Sequence, residues 1–75
     1  MNKPDICTYW QHNNGNVYIV VEIANEHSTR LEEYPVTVVY RGVNGKTWSR
    51  PLSQWSRSMT QISHSEYDQI RMKLP

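Results

Sequence analysis

Hydrophobic and polar residues alternate along much of this chain, and the period is that of strands. The clearest run is Val17 to Ala24, where Val17, Ile19, Val21 and Ile23 fall on one face and Tyr18, Val20 and Glu22 on the other. A period of two predicts a strand with one face turned to a core. Val36 to Arg41 repeats the pattern, with Val36, Val38 and Tyr40 set against Thr37, Val39 and Arg41. Thr8 to His12 reads as a short first strand, stopped by Asn13-Asn14-Gly15-Asn16, residues that tolerate the positive φ of a tight turn. Gly42-Val43-Asn44-Gly45 predicts a second hairpin, with Lys46 to Arg50 as the returning strand.

Asn25 to Tyr34 is polar and aperiodic, and Pro35 discourages a helix through Tyr34, so this stretch reads as a long loop. Pro51 is expected to end its strand, with the Leu52 and Trp55 spacing giving a one-turn helix near 52–57. Met59 to Ile62 reads as a last short strand. Ser65, with Asp68 three residues later, resembles a helix start, and Tyr67, Ile70 and Leu74 would then share a face. Four or five short strands joined by tight turns predict a mainly β fold, a small, SH3-like, partly open antiparallel barrel over residues 1–63. Residues 64–75 form a helical or flexible tail that docks, joins a partner or frays. A three-stranded sheet with a C-terminal helix is the alternative architecture.

Length and composition narrow the function classes. At 75 residues there is room for one domain and no enclosed active site, so any site lies on the surface. Lys+Arg 8 against Asp+Glu 7 leaves a charge of +1, too little for nonspecific coating of a phosphate backbone. An aromatic content of 11% argues for a folded chain despite the thin hydrophobic fraction of 37%. Cys7 is the only cysteine, which excludes an internal disulfide and fits a reducing cytoplasm. No apolar run is long enough for an export signal or a membrane span.

Catalytic machinery is not visible. His12, His27 and His64 match no zinc-ligand spacing, and the neighbouring Glu32 and Glu33 do not converge as a catalytic pair must. No serine lies in a nucleophile motif. Thr47 to Arg57 stands apart because it concentrates Trp48, Arg50, Trp55 and Arg57. Indole stacking and guanidinium forks together suit a flat anionic ligand, and Arg41 across the hairpin would add a third cation. The structural alternative is that both tryptophans fill the core of a chain without phenylalanine, while Arg50 pairs with Glu22 or Glu33.

His12-x-x-Gly15-Asn16-x-Tyr18, Val38-Val39-Tyr40 and Trp48-x-Arg50-Pro51-Leu52, in that order, resemble a small bacterial and phage family, domain of unknown function 1653. The resemblance covers Tyr9 to Met59 and leaves the tail from His64 outside. It implies a small β-barrel. Ile23 to Glu26 and Tyr34 to Tyr40 look most like the family's phage-encoded branch, and Trp55 stands where many members carry Phe. The family brings no biochemistry, but His12 and Arg50 are its two matched polar positions without an evident packing duty.

The resulting expectation is a cytoplasmic, non-enzymatic, phage-type module without cofactor or metal. Arg50, Arg57, Trp48, Trp55, Arg41 and His12 would capture a nucleotide-like or nucleic-acid ligand, blunting a host defence signal. The alternative is a module that binds a host or phage protein through a barrel edge or its tail. A homodimer would suit so thin a core.

Overall fold

The computed structural model describes residues 3–73. Five strands, β1 (Tyr9–His12), β2 (Val17–Ala24), β3 (Thr37–Gly42), β4 (Thr47–Pro51) and β5 (Met59–Ile62), form one antiparallel sheet in the order β4-β3-β2-β1-β5. Its outer strands do not pair with each other, so the barrel is partly open. Helix α1 (Leu52–Ser58) links β4 to β5 and packs against both and against β3, bridging the opening. It runs to seven residues rather than the single turn expected.

The two faces of the sheet carry separate packing. Under α1 lie Val20, Ile23, Val38, Tyr40 and Met59, packed around the helix's own Trp55, with Trp10, Tyr18, Val36 and Leu52 at their margins. Trp55, only 2% exposed, sits at the middle of an edge-to-face aromatic row, 5.4 Å from Trp10 and 5.0 Å from Tyr40. Tyr40 meets Tyr18 at 5.0 Å in turn. Such T-shaped pairs each add roughly 0.5–1.5 kcal/mol to the burial itself.

β2 departs from its expected face. A register shift between Val20 and Glu22 places two residues of β2 against one of β3, and the bulge flips the parity of the strand. Val20 and Ile23 therefore share the α1 side, while Val17, 1% exposed, belongs to the opposite face. That second face is covered by helix α2 (His64–Lys73), which packs on β1 and β2. Tyr67 is its buried residue and meets Tyr9 at 4.6 Å.

The start of α2 is a capping box built two residues earlier than the expected one. Ser63 Oγ accepts from the Glu66 N–H at 3.1 Å, and Glu66 Oε1 accepts from the Ser63 N–H at 3.3 Å. Of the face expected for this helix, Tyr67 is buried and Ile70 half-buried; Leu74 lies outside the described residues. The loop from Asn25 has neither helix nor strand, and its ends are clamped where Asn25 Nδ2 donates to the Pro35 carbonyl at 3.0 Å. The β3–β4 turn closes with Gly42 N–H donating to Lys46 O, and Gly45 takes the left-handed position, φ 81°.

Candidate functional site

β4 is the strand with an open edge. Its residues pair with β3 as Tyr40 with Trp48 and Val38 with Arg50. The bond from Gly42 to Lys46 at one end, and the bond from Leu52 N–H to Val36 O at 2.9 Å at the other, fix which residues face β3. Antiparallel pairing alternates, so Lys46, Trp48, Arg50 and Leu52 turn their backbone inward, and Thr47, Ser49 and Pro51 turn theirs outward. Thr47 and Ser49 thus present an N–H and a carbonyl each to the free edge, whereas Pro51 has no N–H to offer.

The opposite edge, β5, is shorter and offers fewer free backbone groups. In β5 the residues turned outward are Met59 and Gln61, since Asn13 N–H donates to Ser58 O and sets the alternation. The Met59 N–H is already spent on the Trp55 carbonyl of α1.

Two concavities flank β4. At the hairpin end, a cleft of about 160 Å³ is lined by Tyr18, Asn16, Val43, Asn44 and Trp48, with Gly42 at its base. A Cβ on Gly42 would lie 3.1 Å from Asn44 Oδ1 and 3.3 Å from the Tyr18 ring, so glycine permits the close approach that shapes this floor. Asn44 Oδ1 is engaged by the Lys46 N–H at 3.0 Å. At the other end lies an apolar groove of about 310 Å³, lined by Leu31, Pro35, Val36, Leu52 and Ser53.

The six residues expected to form one ligand site are not brought together. Trp48 is 50% exposed and lies, with Arg50, on the sheet face that carries Tyr40. Trp55 is closed inside the core and offers no ring face to a ligand, because α1 needs one large apolar anchor and this is its only buried residue. Arg41 is exposed on the other face of the sheet, since it neighbours the inward-facing Tyr40 on a pleated strand. Arg57 lies in the last turn of α1, where a cation complements the helix dipole.

His12 stands on β1, separated from β4 by two strands, and has a local duty. Its Nδ1 accepts from the Asn14 N–H at 3.0 Å, organising the β1–β2 turn together with Asn14 Oδ1, which accepts from the Asn16 N–H. The expected pairing of Arg50 with Glu22 or Glu33 is also replaced. Glu33 pairs with Arg30, and Glu22 Oε1 accepts from the Ile23 N–H. Among the described residues no three metal-ligating side chains come together.

Sequence reasoning missed Tyr18, Asn16, Asn44, Thr47 and Ser49 as surface-site residues. The turn motifs held a usable signal, since two Asn/Gly turns at the same end of adjacent hairpins place their side chains side by side. The open backbone of Thr47 and Ser49 has no side-chain signature.

A model of the family described as "Protein of unknown function (DUF1653)" matches residues 8–72. No curated protein and no solved structure matches the chain significantly. The family match runs from just before β1 through nearly all of α2, so the tail from His64, expected to fall outside the resemblance, lies within it as far as Met72.

Proposed function

From the premise that the chain belongs to this family of unknown function, we propose that it is a non-enzymatic protein-interaction module whose open β4 edge receives an extended segment of a partner. The carrying observation is the open edge of β4, with a concavity near each end of the strand. Thr47 and Ser49 hold outward backbone groups with no partner among the described residues, the Trp48 cleft lies at one end, and the Leu31–Leu52 groove at the other. Strand addition uses these elements: backbone bonds supply affinity, and pockets for alternate side chains supply specificity. In the phage setting implied by the sequence resemblance, the partner is a host or phage protein met in the cytoplasm.

Ser49→Pro is the test, because it removes an outward N–H and leaves the bonds to β3 in place. A partner captured by the wild-type protein should be lost by this variant, and the Thr47 and Ser49 amides should gain protection from hydrogen exchange in the wild-type complex. Equal capture by wild type, Ser49→Pro and Trp48→Ala would sink the reading.

The cleft supports a second reading, capture of a nucleotide-like ligand. Trp48 and Tyr18 could flank a base, the amides of Asn16 and Asn44 could meet its edge, and Arg50 on the face of Trp48 could hold phosphate. A thermal-shift panel of mono-, cyclic and dinucleotides, DNA and RNA at low salt tests it. A ligand at about 100 times its dissociation constant adds roughly 2.7 kcal/mol, and Arg50→Ala should abolish that shift. A flat panel returns the function to the protein partner.

A further inference from the structure

The β4 edge can pair with its own copy, as any open antiparallel edge can, and its residues fix where such a pairing would centre. Lys46 before the open stretch and Pro51 after it are both residues that blunt strand edges, so unspent pairing capacity is confined to Thr47-Trp48-Ser49. Within that stretch the two outward-facing residues are symmetrically placed about Trp48. A two-fold axis through Trp48 sets Thr47 of one chain opposite Ser49 of the other, and Ser49 opposite Thr47.

We propose that the segment received by β4 is the β4 strand of a second copy of this chain, paired antiparallel about Trp48. This rests on the reading of β4 as an interaction edge and commits it to one occupant. Each Thr47–Ser49 pair exchanges two backbone bonds, so the contact uses four, and every outward N–H and carbonyl of the open stretch is matched. The interface is isologous, the form that closes as a dimer. Trp48 meets Trp48 of the second copy as a non-hydrogen-bonded pair on the same face, with Cβ atoms about 4.5–5.5 Å apart. Aromatic pairs are favourable at that position, and the pairing covers an indole that is half-exposed in the single chain.

A register one residue on, centred at Ser49, fits less well. It sets Thr47 opposite Pro51, which lacks an N–H and whose carbonyl, at the N-cap of α1, takes the first bond of that helix. The Trp48-centred register has a cost, since Lys46 faces Arg50 of the second copy. Both cations are exposed or half-exposed, and each lies diagonal to an indole. The open stretch is short, so the dimer is a weak one in exchange with monomer.

Sedimentation velocity over a concentration series tests the proposal with the full chain. The wild-type protein should pass from monomer to dimer as concentration rises, and Ser49→Pro, which deletes two of the four bonds, should raise the dissociation constant about thirtyfold with its circular dichroism unchanged. Register is read by oxidation in a Cys7→Ser background with Trp48 kept: a mixture of Lys46→Cys and Arg50→Cys chains should cross-link to a mixed dimer, and neither variant alone should cross-link to itself. A wild-type protein that stays monomeric to its solubility limit overturns the proposal, as does dimerisation that Ser49→Pro and Trp48→Ala both leave intact. A monomer that still loses a different protein partner on Ser49→Pro overturns the dimer alone and spares the interaction edge; a dimer insensitive to both variants counts against the edge itself.

Discussion

Trp55→Ala is expected to cost about 3–5 kcal/mol, the range for emptying a buried large aromatic position. A domain of this length has on the order of 4–11 kcal/mol in total, so the variant should be largely unfolded at 37 °C or melt far below the wild type. The reason is its position: Trp55 anchors α1 over the barrel opening and joins Trp10 and Tyr40 in one aromatic row. Trp55→Phe should behave very differently. The indole N–H of Trp55 is buried with no hydrogen-bond partner among the described residues, whereas that of Trp10 donates to Thr8 Oγ1 at 2.8 Å. Such an orphaned donor costs roughly 1–3 kcal/mol, and phenylalanine removes it while keeping an aromatic ring. The relief offsets much of the lost volume, leaving a net change within about 1–2 kcal/mol. Urea denaturation of the two variants separates the cases; a mild Trp55→Ala, or a Trp55→Phe as damaging as alanine, would contradict this account.

The second large effect concerns α2. Truncation after Ser63 is expected to destabilise the fold by about 3–4 kcal/mol, from the burial of Tyr67, its pairing with Tyr9 and the cover it gives Val17. Tyr67→Ala should reproduce most of that loss, about 3 kcal/mol. Thermal melts of both measure it, and a truncated chain that melts with the full-length protein would make α2 a dispensable appendage. The same packing means that a tail deletion alone cannot separate a binding role of α2 from a structural one, which is why single substitutions on β4 are the better probes of function.

Much of the architecture was legible in the sequence because its signals are local. Asn44-Gly45 marked the β3–β4 turn, Pro51 marked the end of β4, and the Val36-Val38-Tyr40 face is the face that packs under α1. Errors arose where a tertiary choice decides. The bulge beside Val21 reverses the parity of β2, and nothing in the apolar stretch from Val17 to Val21 announces it. Ser63 with Glu66 and Ser65 with Asp68 have the same capping-box spacing, so sequence alone does not choose between them, and the structure uses the first.

The candidate site was legible in part. Trp48 and Arg50 do lie together at the surface of β4, but composition alone could not divide two neighbouring tryptophans between core and solvent. That division follows from α1, which carries Trp55 inward while β4 leaves Trp48 at an edge. Residue type alone groups Arg41 and His12 with the cluster, whereas pleat and strand order respectively keep them away from it. The open edge itself is a property of strand order; Lys46 and Pro51 suit an edge strand but do not by themselves specify one.

The sheet order also sets a sequence of events in time. β2, β3 and β4 form a meander, with β3 and β4 joined by the Val43–Gly45 turn, whereas the pairing of β1 with β5 must bring His12 to Met59 across most of the chain. By loop-closure scaling, that last pairing costs about 2 kcal/mol more entropy than closing a short hairpin. The meander can therefore nucleate folding, and β5 with α1 closes the barrel late. During folding, then, β4 is made before the opening beside it is bridged. Its unpaired edge is on display to neighbouring chains while the barrel is still incomplete, so rapid closure by α1 bears on the yield of folded protein as well as on its final stability.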